Sequence, residues 1–385
     1  MKTLREIGEI RGKRVFLRVD FNVPLKGGKI LDDTRIKKAL PTIKFLSEKG
    51  AKLILASHLG RPKGERKPEL SLKSCAERLK ELLNKDVRFT EEVYGESVKK
   101  IIESMKEGDI LLIENTRFEK GEGKDDIELA KKWKELADIY VNEAFSASHR
   151  KHASVHTLPR LFEEKYAGFL FEEEIKNLSK ILENPERPFV AILGGAKVKD
   201  KIGVIKALSS KCDKILIGGG MMFTFWKAKG KNIGNSIVDE SFIDEVKKLP
   251  EKKILLPLDT KYSDSPESKD YKEGEEVPEG KMGLDIGGKT INLFREEIEK
   301  GKTIFWNGPM GVFENEVFAE GTYEIAKSLK EAGEKGAFTV CGGGETITAL
   351  KNLDLEGKIS FVSTGGGASL EFIEKKTLPG IEALT

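Results

Sequence analysis

The chain contains no glutamine, and only 3 of its 385 residues are cysteine. Cys75, Cys212 and Cys341 stand far apart and form no Cys-x-x-Cys pair. That spacing argues against a disulfide framework and a cysteine-based zinc site. No apolar run reaches the ~18–20 residues needed to cross a bilayer, so no membrane partner is expected. The opening residues MKTLREIGEIRGKR lack the apolar core of a secretory leader. A cytoplasmic location is therefore expected. No dense Lys/Arg run interleaved with aromatics occurs, which argues against nucleic acid as a partner. No Gly-x-Gly-x-x-Gly opens a helix with an acidic residue about 20 positions on, which disfavours a dinucleotide-dependent dehydrogenase.

What is present is apolar residue in short, regular blocks, 38% of the chain, beside 34% charged residues. Such regularity excludes disorder. The length suits two domains at roughly 150 residues each. The net charge of +3 hides an asymmetry. Residues 1–165 hold 36 Lys+Arg against 28 Asp+Glu, and the remainder holds 31 against 36. All four histidines, His58, His149, His152 and His156, also fall in the first segment. A basic half suits an anionic ligand. The missing glutamine and abundant Lys and Glu match the composition of heat-adapted proteins, so a thermophilic source is expected.

Short β-rich runs alternate with amphipathic helical stretches. Strands are expected at 14–20, 52–57, 110–115 and 139–145, then at 189–195, 214–220, 253–257, 303–308, 338–344 and 359–367. Helical patterns lie at 72–83, 126–136 and 198–207. This alternation argues for an α/β fold of doubly wound parallel sheets. Residues 171–182 read as a helix near the chain midpoint, placed to link two domains. The polar stretch 261–280 reads as a long surface loop or hairpin.

In open parallel sheets, ligands bind beyond the carboxyl ends of strands. The first half places Asp20-Phe21-Asn22, His58-Leu59-Gly60-Arg61, Arg117 and His149-Arg150 at such ends, with Arg35 opening a helix. Guanidinium groups bind phosphate and carboxylate bidentately and stay charged. This rim suits a small phosphorylated acid. The second half uses glycine: Gly194-Gly195, Gly218-Gly219-Gly220, Gly342-Gly343-Gly344 and Gly365-Gly366-Gly367. Glycine after a strand allows close backbone approach, and a helix starting there offers free N–H groups to phosphate. Lys197 and Lys201, a helical turn apart, strengthen a nucleotide-polyphosphate reading. Gly283–Thr290 satisfies the Gly-x-x-x-x-Gly-Lys-Thr pattern, but a polar stretch containing Pro278 precedes it instead of a hydrophobic strand, so it reads as a decoy.

Taken together, RVDFNVP (18–24), SHLGRP (57–62), ENTRF (114–118), HRKHAS (149–154), GGAKVKDKI (194–202), WNGPMGVFE (306–314), STGGGASLE (363–371) and LPG (378–380) resemble the phosphoglycerate kinase family over essentially the whole chain. The resemblance implies two Rossmann-like domains joined by a linking helix and hinge. Residues 1–168 would bind the acid, 169–183 form the linking helix, 184–366 bind nucleotide, and 367–385 return to the first domain. It implies reversible phosphoryl transfer between ATP and 3-phosphoglycerate with Mg²⁺, by a monomer whose domains close like a hinge. Asp20, Phe21, Asn22, Arg35, His58, Leu59, Gly60, Arg61, Arg117 and Arg150 would bind the acid. Arg35, Lys197 and the N–H groups at Gly342 and Gly365 would serve the migrating phosphoryl. Lys201, Gly283, Asn307, Glu314, Gly343, Gly344, Glu345 and Thr346 would bind the nucleotide, with Glu345 on the metal. The family usually has Asp where this chain has Glu345, which implies altered Mg²⁺ dependence. It also differs at Gly288 and across Glu143–Ser148. Rival readings are a catalytically weak regulatory relative and a P-loop NTPase using 283–290.

Overall fold

The computed structural model describes residues 1–385, which divide into two compact units. Unit 1 is Met1–Lys176 with Thr377–Thr385, and unit 2 is Asn177–Lys376. Each is built on one six-stranded, all-parallel sheet. In unit 1 the strand order is Arg88–Phe89, Ile110–Leu112, Lys52–Ala56, Arg14–Arg18, Ile139–Asn142, Lys165–Ala167. In unit 2 it is Ile254–Leu255, Lys214–Ile217, Phe189–Leu193, Thr303–Asn307, Phe338–Gly342, Phe361–Ser363. Central strands such as Phe189–Leu193 and Thr303–Asn307 are buried at every position. Parallel strands covered on both faces must be apolar on both, which is why these runs do not alternate.

The doubly wound reading therefore holds, with differences of detail. Two edge strands of unit 1, Arg88–Phe89 and Lys165–Ala167, escape a periodicity reading because they are only two and three residues long. The stretch 261–280, expected as a loop or hairpin, is a hairpin in which Thr260–Ser263 pairs antiparallel with Lys272–Gly274, and the unexpected part is a third antiparallel strand, Met282–Ile286. The helix Phe169–Glu183 carries the chain across the division between units. The return to unit 1 begins at Thr377 rather than at 367. Its expected first part is a helix, Gly367–Lys375, that packs on Ile202–Ser209 within unit 2 and buries Phe372 and Ile373.

Candidate active site

In unit 1 the loops that leave neighbouring strands are tied to one another. Phe21 N–H donates to Ser57 Oγ at 2.8 Å, and Gly60 N–H donates to Asn22 Oδ1 at 2.8 Å. Asn115 accepts from Leu59 N–H at 3.1 Å and donates to Leu59 O at 2.7 Å. Arg117 donates to Gly60 O at 2.7 Å. Asp20 is buried, accepts from Asn22 N–H at 2.9 Å, and receives both the Arg35 guanidinium and the Ser146 hydroxyl on its other oxygen. Arg35 starts the helix Thr34–Glu48 and remains one-third exposed. Arg61 and Arg150 are exposed.

Beneath this rim lies a buried charge network. Arg18 is fully buried and donates to Ser154 Oγ at 2.7 Å and Val19 O at 2.5 Å, with Glu122 at 3.7 Å. Its Nη2 lies 3.2 Å from His58 Nδ1. A guanidinium only donates, so Nδ1 accepts and the imidazole proton sits on Nε2. Burial first, then the charges of Arg18, Arg117, Arg35 and His152, push His58 well below its ordinary range. At neutral pH His58 is a neutral hydrogen-bond donor. Burial and then Arg18 and Arg150 lower Arg117 to about 10, which leaves it charged. Six cationic or imidazole groups, Arg18, Arg35, His58, Arg117, Arg150 and His152, around so few carboxylates make a rim that attracts an anion.

In unit 2 a cavity of about 370 Å³ opens at the strand ends. Met222, Phe223, Leu284, Met310 and Val312 form its apolar wall, and Gly283, Glu314 and Glu345 also line it. That size and mixture match a small-molecule site. Two helices begin beside the strand ends, Gly344–Asn352 after Gly343 and Gly367–Lys375 after Gly366. Gly343 and Gly366 have φ of +96° and +56°, and no side chain caps either helix. A helix start of this kind can offer N–H groups to phosphate, although in Gly367–Lys375 the Ala368 and Ser369 N–H groups turn back to Gly365 O and Gly366 O at 3.0 and 3.2 Å. A Cβ on Gly344 or Gly366 would meet nothing within 4 Å, so the backbone there is open to a ligand. Other glycines serve packing instead. A Cβ on Gly194 would fall 2.1 Å from Pro309 O, and one on Gly308 2.4 Å from Gly194 O. Of the four glycine loops, two have open space beside a glycine, at Gly344 and Gly366, and two lie against each other, a Cβ on Gly219 falling 2.5 Å from Gly195 N, while Gly195, Gly219 and Gly220 also line the cavity.

Lys201 is buried, with its ammonium on Asn307 Oδ1 and 3.3 Å from Asn307 O. Burial pushes it down to about 8, partly offset by Glu345 and Asp200. Lys197 is exposed. The two do not lie on one α-helical turn: a 3-10 turn, Val198–Asp200, separates them, and the α-helix starts at Ile202. Thr346 Oγ accepts from Gly308 N–H at 2.7 Å and so holds the Trp306–Pro309 loop. The amide nitrogen of Asn307 is buried without a partner, beside Gly342 and Gly343.

The Walker-like segment is no phosphate loop. Residues Met282–Ile286 are a strand, Lys289 pairs with Glu275 at 2.7 Å, and the Thr290 hydroxyl and N–H are both taken by Asp259.

The sequence profile described as "Phosphoglycerate kinase" matches residues 4–376. The chain belongs to the phosphoglycerate kinase family. It is 56% identical to the phosphoglycerate kinase of Thermosipho africanus, over 99% of this chain and 97% of that protein. The phosphoglycerate kinase of Clostridium tetani is 49% identical, over 100% and 97%. Among solved structures, that from Coxiella burnetii superposes with a TM-score of 0.88 at 37% identity, covering 99% of this chain and 98% of that one. The structure from Pyrococcus horikoshii gives 0.87 at 32%, covering 100% and 98%.

Within a phosphoglycerate kinase chain, the sequence reading missed Arg18, Glu122 and Ser146. Arg18 did carry a signal: it sits in a strand whose neighbours are apolar on both faces, so a charge there must be paired internally. Ser146 and Glu122 carried none, because each reaches its partner only through the fold.

Proposed function

We propose that unit 1 holds 3-phosphoglycerate on the Asp20–Arg35–His58–Arg117 rim and unit 2 holds ATP in the glycine-edged cavity. The reaction of the family is reversible phosphoryl transfer between ATP and the carboxylate of 3-phosphoglycerate, part of glycolysis. The bond between the γ-phosphorus and its bridging oxygen breaks, ADP leaves, and a carboxylate oxygen forms the new bond of the acyl phosphate. The attacking carboxylate is already ionised at neutral pH, so no general base is needed. This agrees with a neutral His58 acting as a donor. The protein's part is positioning and electrostatic stabilisation of three equatorial oxygens. Arg35 and Lys197 would meet that charge as cations, and the N–H groups near Gly342 and Gly365 as dipoles. Lys201 would hold nucleotide phosphate, Glu314 the ribose, and Gly283, Asn307 and Gly343–Thr346 would complete the nucleotide site. Arg61 and Arg150, both exposed, would complete the acid site.

The residues present fit Mg²⁺ entering with ATP. No group of three metal-ligating side chains occurs, but Mg²⁺ usually takes one or two carboxylates, with phosphates and water as its other ligands. Glu345, exposed at the edge of the cavity, would be that carboxylate. The ion supplies neutralisation of phosphate charge. With the half-sites on different units, transfer would use the hinge closure that the family resemblance implies, which would also limit hydrolysis by water. A cytoplasmic monomer from a heat-adapted source completes the reading. A melting temperature within the mesophile range, below about 60 °C, would remove the last part.

The observation that carries the reading is the division of labour: a cationic rim with a neutral imidazole in one unit, and in the other a glycine-edged small-molecule cavity reached by the helix that Glu345 helps begin. The test is ADP formation from Mg·ATP with and without 3-phosphoglycerate, with the acyl phosphate drained by a coupled reduction. Turnover should need both substrates and be lost in Arg35→Ala. ATP hydrolysis indifferent to 3-phosphoglycerate would refute the assignment. Nucleotide binding without turnover would favour a regulatory relative.

A further inference from the structure

Glu143 follows the strand Ile139–Asn142 and precedes the loop that carries Ser146 and Arg150. It is 1% exposed, and one of its carboxyl oxygens, Oε2, has no hydrogen-bond partner. The other oxygen accepts from Leu170 N–H at 3.2 Å, and the Phe171 N–H and the Thr42 hydroxyl also face the carboxyl. Leu170 and Phe171 lie in the first turn of the 15-residue helix Phe169–Glu183. The preceding N–H, of Phe169, is taken by Thr42 Oγ at 3.0 Å. Glu172 N–H returns to Gly168 O at 2.9 Å. The orphan donors of this helix start are therefore satisfied by two side chains of unit 1.

Both side chains come from elements that bear the acid rim. Thr42 sits in the helix that Arg35 begins, and Glu143 heads the loop whose Ser146 binds Asp20. Ring contacts follow the same two routes: Phe45 meets Phe169 at 5.0 Å, and Phe145 meets Phe171 at 5.7 Å, both edge-on. Gly168 is shaped to admit the carboxyl, since a Cβ there would lie 1.7 Å from Oε2. We propose that Glu143 is a positioning residue that fastens the start of the linking helix to the acid-binding loop, so that the loop and the helix move as one piece.

The arrangement is sensitive to charge. Facing the carboxyl are the Thr42 hydroxyl, two helix N–H groups, the Gly168 backbone and Glu173, none of them cationic. Burial, with a smaller contribution from Glu173, raises Glu143 to about 8 against the pull of the hydrogen bonds. The fastening carboxyl is therefore neutral at pH 7 and gains charge above pH 8. An ionised, uncompensated carboxyl in this pocket draws in water and loosens the joint.

The kinetic part of the test rests on the acid-site reading; the exchange part does not. In full-length Glu143→Ala, backbone amides of Leu170 and Phe171 should exchange with solvent at least about tenfold faster than in the parent, while amides of Lys52–Ala56 change little. KM for 3-phosphoglycerate should rise several-fold with a smaller effect on kcat. Glu143→Gln keeps an acceptor of the same size and should restore both. The parent should show faster exchange at residues 170–171 as pH rises through about 8, beyond the intrinsic pH dependence, and Glu143→Gln should not. Unchanged exchange at 170–171 in Glu143→Ala would overturn the proposal. So would equal acceleration throughout unit 1, which marks a merely structural role. If the alanine variant does not fold, the glutamine variant decides: retention of the pH inflection overturns the proposal. Altered exchange with unaltered acid kinetics would overturn the coupling to the acid loop and leave the wider functional assignment intact.

Discussion

Replacing Arg18 with methionine removes a fully buried cation while keeping a side chain of comparable reach. The variant loses the 2.7 Å bond to Ser154, the bond to Val19 O, and the charge 3.7 Å from Glu122. Glu122 is then a buried carboxylate that keeps only neutral donors, Ser154 N–H at 2.8 Å and Ser154 Oγ at 2.5 Å among them. Breaking a buried pair by removing one partner costs about 3–5 kcal/mol. That is a large share of a typical stability of about 5–15 kcal/mol. Glu122→Gln should cost less, since an amide can keep most of those bonds. The double variant should be more stable than the sum of the singles by about 1–3 kcal/mol. Native-state hydrogen exchange at the amides of Arg14–Arg18 and Lys52–Ala56 reads unit 1 directly. His58 gives an independent signal. Arg18 is, after burial, the largest cause of its lowered proton affinity, so its titration should move up in Arg18→Met. Parental protection in Arg18→Met, or strict additivity in the double variant, would show that the two charges do not depend on each other, and the reasoning would fail.

If Lys201 holds nucleotide phosphate as an ammonium, as proposed, its burial, which places proton loss at about 8, has a consequence for binding. ATP affinity of the free protein, measured by calorimetry, should therefore fall as pH rises through that value, and Lys201→Arg should remove the inflection. The two classes of glycine separate cleanly. Gly308→Ala, at φ +98° with a Cβ 2.4 Å from Gly194 O, should cost about 3 kcal/mol in urea unfolding. Gly344→Ala, with open space around its Cβ, should fold normally and raise KM for ATP. Lys289→Ala breaks an exposed, solvent-screened pair and should leave both stability and ATP affinity essentially unchanged. A loss of ATP binding there would revive the P-loop reading. Glu345→Asp should shift the Mg²⁺ dependence of nucleotide binding, and an unchanged dependence would remove Glu345 from the metal.

Strand ends were legible because parallel-sheet strands are short apolar runs and the residues that follow them break the pattern. Asp20, His58, Arg117 and Gly343 all announced themselves in this way. The burial of a charge was not legible. Glu122 and Glu143 stand among other polar residues in the sequence and become interior only when distant segments cover them. The strand Met282–Ile286 was hidden for a different reason. Gly283 and Asp285 disfavour a strand locally, and the pairing with Thr260–Ser263 overrides that preference. The apparent equivalence of Lys197 and Lys201 also failed, because a 3-10 turn sends one to the surface and the other into the interior. Spacing along a chain predicts a shared face only where the helix is known to be continuous.

Residues 377–385 belong to unit 1, with Leu378, Ala383 and Leu384 buried and Gly380 N–H on Ser148 O at 2.8 Å. Unit 2 is thus an insertion in unit 1, and the two are asymmetric during synthesis. Unit 2 has its whole sequence once residue 376 has left the ribosome. Unit 1, though translated first, waits for the last nine residues before its final contacts can close. A released chain truncated before residue 377 would hold all of unit 2 but a unit 1 without its closing segment. The order of maturation would then be the reverse of the order of translation.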